Sequence, residues 1–287
     1  MVPNSAVGWL DVPTGTFRPD LASTLDAIKE SRANIPLPYT WDPAVEEWVP
    51  APPKLISPDG RSYVWGDDVF NAKTGAIVHR IPFPTPPNHS TGAFYTLAYT
   101  GAAIYFAGTG MQPPPGLWVV QTTSWKVTQV SSAEGEWDLV DDKSAWGTNG
   151  YTVRRLDLAT GKVSDLYRGS PSFEIPELVG FVGSGVLLLG PNGSGSDSPV
   201  LSVLVLHPNG SVAHVVVPSA LGDGRLGAGV QDGSAFIFTV YYPLTAGGPP
   251  ASLHGWGLAA WDPTHGLQFL MTKVPEGLSV AGPCMAV

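Results

Sequence analysis

The chain has 287 residues, and 15 Lys plus Arg against 24 Asp plus Glu give it a net charge of −9. That balance repels a phosphate backbone and no basic run offsets it, so nucleic acid is not an expected partner. No stretch approaches the roughly 18 consecutive apolar residues of a membrane-spanning helix.

Gly (34) and Pro (29) are abundant, which favours frequent turns over long helices. Hydrophobic residues make up 43% of the chain, enough for a large core. The single cysteine, Cys284, rules out an internal disulfide and a multi-thiolate metal site. It reads as a small apolar residue beside a terminal strand.

Residues 7–17 and 39–49 read as hairpins. Between them, 21–32 reads as one short surface helix, with Leu21, Leu25 and Ile28 at i, i+4, i+7. A compound unit then recurs over 53–84, 94–131, 136–168, 177–218 and 226–275. Its first half is strand, tight turn, strand, as in 56–65, with Pro58-Asp59-Gly60 at the turn. Looser copies lie at 98–104, 139–146, 181–187 and 230–237. Its second half is a hairpin around Asn71-Ala72-Lys73-Thr74-Gly75. That hairpin returns at 156–163, 205–212 and 260–267, and more loosely at 118–125 and 39–45. Thr-Gly and Asn-Gly supply the positive φ such turns need.

Four strands, a to d, repeating every 40–50 residues or so, are the signature of propeller blades. The expected fold is therefore an all-β propeller of about six blades, with five to seven as the bracket, forming one domain over 1–287. Residues 278–287 read as a last strand. Pairing it with the N-terminal hairpins (1–50) would close the ring and hide its edges.

The segment 53–82 resembles WD-repeat-like blades of TolB-type propellers, through Ser57-Pro58-Asp59-Gly60-Arg61 and the later Asn71-Ala72-Lys73-Thr74-Gly75. The resemblance implies the propeller fold. The Trp-Asp pairs at 41–42 and 261–262 fall at hairpin turns rather than at blade ends. Arg61 stands where a sialidase-type Asp-box needs Gly.

In such a blade the a–b and c–d turns share one end of the sheet, and the b–c and d–a loops share the other. The c–d turns here are short and alike, whereas the b–c and d–a loops vary. Varied loops on a rigid scaffold are how binding surfaces are usually built. The candidate ligand-binding residues are accordingly Asp67, Asp68, His89, Asn149, Tyr151, His254 and Trp256. Tyr151 and Trp256 adjoin b–c loops, where a sugar or peptide could stack. Asp67 and Asp68 offer hard oxygens to a cation, although a solvated turn is the preferred reading. The six histidines lack metal-binding spacing, and Ser194 is not in a Gly-x-Ser-x-Gly elbow. No catalytic or metal residue is assigned.

The expected function is a non-catalytic ligand-binding, sensor or interaction propeller, monomeric and exported to the cell surface, envelope or exterior. No signal segment is visible in this chain. Its ligand would be a small molecule, a glycan or a protein. The alternative is a lactonase- or glycosidase-like hydrolase or lyase with calcium in a central channel, drawing on Asp67, Asp68 and Asn149.

Overall fold

A computed structural model describes residues 7–12, 14, 16–20, 40–83, 93–109, 115–133, 135–169, 177–190, 202–218, 225–242 and 255–274. The expected helix at 21–32 and the closing strand at 278–287 lie outside these residues. The chain forms two compact units, one of residues 40–170 and one of residues 1–39 with 171–287.

The second unit begins with the hairpin β1 (Gly8–Asp11) and β2 (Thr16–Pro19). The 40–170 unit begins with the hairpin β3 (Thr40–Asp42) and β4 (Glu47–Val49). A 3-10 turn, Pro53–Leu55, follows. Next is a three-stranded antiparallel sheet of β5 (Ser62–Trp65), β6 (Asp68–Asn71) and β7 (Ile77–Arg80). Its first strand is reduced to one bridge, Ile56 to Tyr63.

Two complete blades complete this unit. One is β8 (Ala93–Thr100), β9 (Ala103–Thr109), β10 (Gly116–Gln121) and β11 (Val127–Ser131). The other is β12 (Glu136–Val140), β13 (Ser144–Asn149), β14 (Thr152–Asp157) and β15 (Val163–Arg168). The second unit holds two more blades. The first is β16 (Glu177–Val182), β17 (Gly185–Gly190), β18 (Ser202–Leu206) and β19 (Val212–Val215). The second is β20 (Arg225–Asp232), β21 (Ala235–Tyr242), β22 (Gly255–Asp262) and β23 (Gly266–Val274). All four are antiparallel sheets with strands in sequence order.

The middle strands are buried on both faces, so they read as apolar runs and not as alternation. Ser144 to Thr148 of β13 are all buried, as are Val186 to Leu189 of β17. Sheets stacked face to face require this, and they meet through large side chains. In the 40–170 unit, Ile104, Phe106 and Val120 pack against Val64, Val69 and Ile81 of the preceding sheet. In the other unit, Leu187 and Val205 pack against Phe236, Phe238 and Trp261.

One turn recurs at the hairpin between third and fourth strands. An Asx carboxyl or amide oxygen accepts backbone N–H groups two and three residues on, and the fifth residue takes positive φ. Asn71 Oδ1 accepts from Lys73 and Thr74 at 3.0 and 2.9 Å, and Gly75 has φ 65°. Asp262 Oδ1 does the same with Thr264 and His265 at 2.8 and 2.9 Å. At Asp157 the Thr160 hydroxyl, ahead of its N–H, holds the carboxyl below the usual carboxylate range.

Asp42 and Glu46 (φ 55°) repeat the spacing between β3 and β4. Asp11 and Thr14 start it between β1 and β2. Both N-terminal hairpins thus carry the outer-strand turn, and each is two-stranded among the described residues. They are alike in this turn. Trp125 (φ 55°) stands where the β6–β7, β14–β15 and β22–β23 turns have Gly75, Gly161 and Gly266. A bulky residue there costs about 1–2 kcal/mol. Stacking on His79, with ring centroids 3.6 Å apart, offsets it.

The first strand of every four-stranded sheet carries a bulge. It falls at Leu97, Asp138, Val179 and residues 227–228. Bulges re-aim side chains and raise local twist. First strands also pack on one another within each unit. The 3-10 turn lies on β8, β8 lies on β12, and β16 lies on β20. Between β16 and β20, Gln231 acts as a stitch. Its Oε1 accepts from Phe181 N at 3.1 Å, and its Nε2 donates to Phe181 O and Gly233 O at 3.0 Å.

Candidate functional site

Strand direction sorts the side chains by end. The first strand enters from the loop end, where b–c and d–a connections lie, and leaves at the turn end. Three aromatic side chains are exposed among the described residues, and all three stand toward the loop end of the 40–170 unit. Trp65 is the last residue of β5 and 37% exposed. Tyr95, third in β8, is 58% exposed. Tyr151, between β13 and β14, is 40% exposed. Beside Tyr151, Thr152, Asp165, Leu166, Tyr167 and Arg168 line a shallow hollow. Gly169 donates its N–H to the Tyr151 carbonyl at 2.8 Å, which fixes the edge of that hollow.

The residues nominated from sequence divide as follows. Asp67 is exposed in the two-residue turn between β5 and β6. Asp68 is not a loop residue but the first of β6, and Arg80 Nε donates to its Oδ1 at 2.9 Å. Asn149 is exposed at the end of β13, next to Tyr151. Asp67, Asp68, Asn149 and Tyr151 therefore share the loop end of one unit. Trp256 lies in β22 of the other unit, with its backbone opposite Tyr241 and Val274. His89 and His254 fall outside the described residues.

The arrangement gives no support to a cation at Asp67 and Asp68. A guanidinium already occupies the Asp68 carboxylate, and no group of three His, Cys, Asp or Glu comes together among the described residues.

Sequence reasoning missed Trp65 and Tyr95. Trp65 reads as core, like most of the ten tryptophans, because it ends an apolar strand. Lys54 belongs to the 3-10 turn ahead of the Ile56 bridge. Its side chain is exposed to water, yet enough protein surrounds it that desolvation pulls its pKa below the usual lysine value; the charge of Asp138 opposes this. In the second unit, Glu177, first in β16, is in the same condition: burial alone raises its carboxyl above the usual carboxylate range.

A pH-dependent stability follows. With a raised pKa, folded Glu177 holds its proton more tightly than the unfolded chain does. That contribution is complete below the ordinary value of 4.5 and is lost as pH rises through the raised value. Glu177→Gln should raise the melting temperature at pH 7 relative to the parent and leave it unchanged near pH 4. Equal gains at both pH values would show that the carboxyl's environment is not the cause.

No family model matches this sequence, and no curated protein matches it. Solved structures do. A protein described as TolB from Agrobacterium tumefaciens superposes with TM-score 0.50 and 12% identity, covering 96% of this chain and 91% of that one. An oligogalacturonate lyase in complex with manganese gives TM-score 0.51 and 14% identity, covering 81% and 71%. An oligogalacturonate lyase from Vibrio parahaemolyticus gives 0.48 and 14%, and this chain spans 61% of its length. The chain has the all-β propeller fold and resembles TolB-type propellers. At these identities the likeness is one of fold.

Proposed function

We propose that the chain is a non-catalytic ligand-binding propeller, a monomeric module of the cell surface, envelope or exterior. It takes its ligand at the loop end of the sheets in residues 40–170. One observation carries this reading: Trp65, Tyr95 and Tyr151 are all exposed toward that end. Exposed aromatic faces on rigid strands give large contact area at low entropic cost, as suits stacking of a sugar ring or peptide group. Asn149 and Asp67 add polar groups around them.

The test is a panel of oligosaccharides, amino acids and short peptides, read by intrinsic tryptophan fluorescence and calorimetry. A binder is expected, with Trp65→Ala and Tyr151→Ala each weakening it roughly tenfold, equivalent to about 1.4 kcal/mol. Asp157→Ala, at the turn end, should bind as the parent does. The reverse pattern would place the site at the opposite end.

A second reading, a propeller lyase, draws on the likeness to the manganese-bound oligogalacturonate lyase. Incubation with oligogalacturonate and manganese separates the two readings. Ultraviolet absorbance from a new C=C bond would establish elimination and overturn the non-catalytic reading.

A further inference from the structure

Two hairpins of the 40–170 unit share one backbone plan at the loop end. In each, a two-residue turn opens on a glycine of positive φ, Gly66 at 61° and Gly150 at 59°. The second turn residue, Asp67 or Tyr151, accepts at its carbonyl from the backbone N–H just past the outer strand. The donors are Ile81 at 2.7 Å and Gly169 at 2.8 Å. Asp68 then stands opposite Arg80, and Thr152 opposite Arg168. One pair further in, both outer strands bulge, at Val78 and at Leu166.

The side chains on this common frame differ. In the first hairpin Arg80 Nε donates to Asp68 Oδ1 at 2.9 Å, so the residue opposite the arginine neutralises it. In the second, Thr152 takes the place of Asp68 and brings no charge. Among the described residues the Arg168 guanidinium has no ion pair, hydrogen bond or ring contact, and the Thr152 hydroxyl has no hydrogen bond. The neighbouring pair, Arg154 with Asp165, is closed at 2.8 Å. One positive charge is left over. It stands in the hollow lined by Thr152, Asp165, Leu166, Tyr167 and Arg168, whose volume is about 250 Å³. Sites for drug-sized ligands run to ~300–1,000 Å³, so this one suits a single ring-sized group. Tyr151, 40% exposed, replaces Asp67 beside it. A guanidinium takes a carboxylate through paired N–H donors. A phosphate dianion would bring more charge than Arg168 offsets into a protein of net charge −9.

We propose that the hollow between Thr152 and Arg168 binds a small ring-bearing monocarboxylate. Its carboxylate lies on Arg168 as that of Asp68 lies on Arg80, and its ring lies against Tyr151. The Thr152 hydroxyl supplies a further donor. This rests on the ligand-binding reading above and names the ligand class for its Tyr151 end.

The experiment is calorimetry of the parent chain, Arg168→Gln, Thr152→Asp and Lys162→Gln. The probes are benzoate and phenylacetate, each against its neutral amide, with acetate and inorganic phosphate as ringless controls. At least one ring acid should bind the parent, and its amide and both controls should bind roughly fivefold more weakly or worse. Arg168→Gln should lose about fivefold, the upper end for an exposed ion pair. Thr152→Asp should lose at least as much, because its carboxylate closes on Arg168 as Asp68 does on Arg80. Lys162→Gln removes a charge at the turn end and should bind as the parent does. Arg168 is exposed and Thr152 half-buried, so both variants are expected to fold, and either decides the matter if the other does not. Either one binding as the parent does would overturn the proposal, as would an amide or phosphate binding as tightly as the acid. An equal loss in Lys162→Gln, or no binding of either acid, would overturn it too. If a peptide or sugar binds with dependence on Trp65 and Tyr151 but not on Arg168, the carboxylate site falls and the ligand-binding reading stands. If nothing in either panel binds, both fall.

Discussion

Trp146→Ala should destabilise the 40–170 unit by about 3–5 kcal/mol, the range for truncating a fully buried large aromatic. Trp146 is 0% exposed, in the middle of β13. Its indole Nε1 donates to Ser144 Oγ at 3.1 Å, so the ring is held by a hydrogen bond as well as by packing. The Arg155 guanidinium carbon lies 5.9 Å from the ring centroid, and Arg155 Nε is buried with no hydrogen-bond partner among the described residues. Alanine would leave a cavity beside a partly desolvated cation that has lost its aromatic face. Urea denaturation should show the loss as a lower midpoint at unchanged slope. Trp65→Ala, at an exposed position, should cost no more than about 0.5 kcal/mol in the same assay. Similar losses for the two variants would contradict the burial assigned to Trp146.

Gly60→Ala should cost about 2–4 kcal/mol, through two separable effects. Gly60 has φ +69°, a conformation in which any L side chain is strained. A Cβ there would also lie 2.5 Å from Ala44 Cβ and 2.7 Å from both Asp42 carboxylate oxygens. The turn of the first sheet packs on the β3–β4 turn at this point. Displacing Asp42 would break its hydrogen bond with Ala44 N, 2.8 Å long. Gly75→Ala is the control, since φ there is +65° and a new Cβ meets nothing within 4 Å. It should show only the backbone cost of about 1–2 kcal/mol. Thermal melts of the two variants measure the difference, and equal shifts would refute the contact at Gly60.

Blade architecture was legible because turns are local chemistry. Asn71 to Gly75 and Asp157 to Gly161 announce their hairpins by residue type alone, and apolar strands on either side do the rest. The loop end was legible for the same reason, since loops longer than reversal requires mark one end of a sheet. Site residues were harder to read. Trp65 ends an apolar strand and differs from a core tryptophan only in being the residue next to Gly66. Asp68 reads as an acidic loop pair with Asp67, yet the two-residue turn places it in β6 opposite Arg80.

The most direct test of the loop-end site is a two-dimensional ¹⁵N–¹H spectrum of the tryptophan indoles during titration with the amino-acid and short-peptide panel. The Trp65 indole signal should move with ligand concentration. Those of Trp146, buried in β13, and Trp125, at the turn end beside His79, should stay in place. Movement of Trp125 with Trp65 unchanged would contradict a ligand site at the loop end.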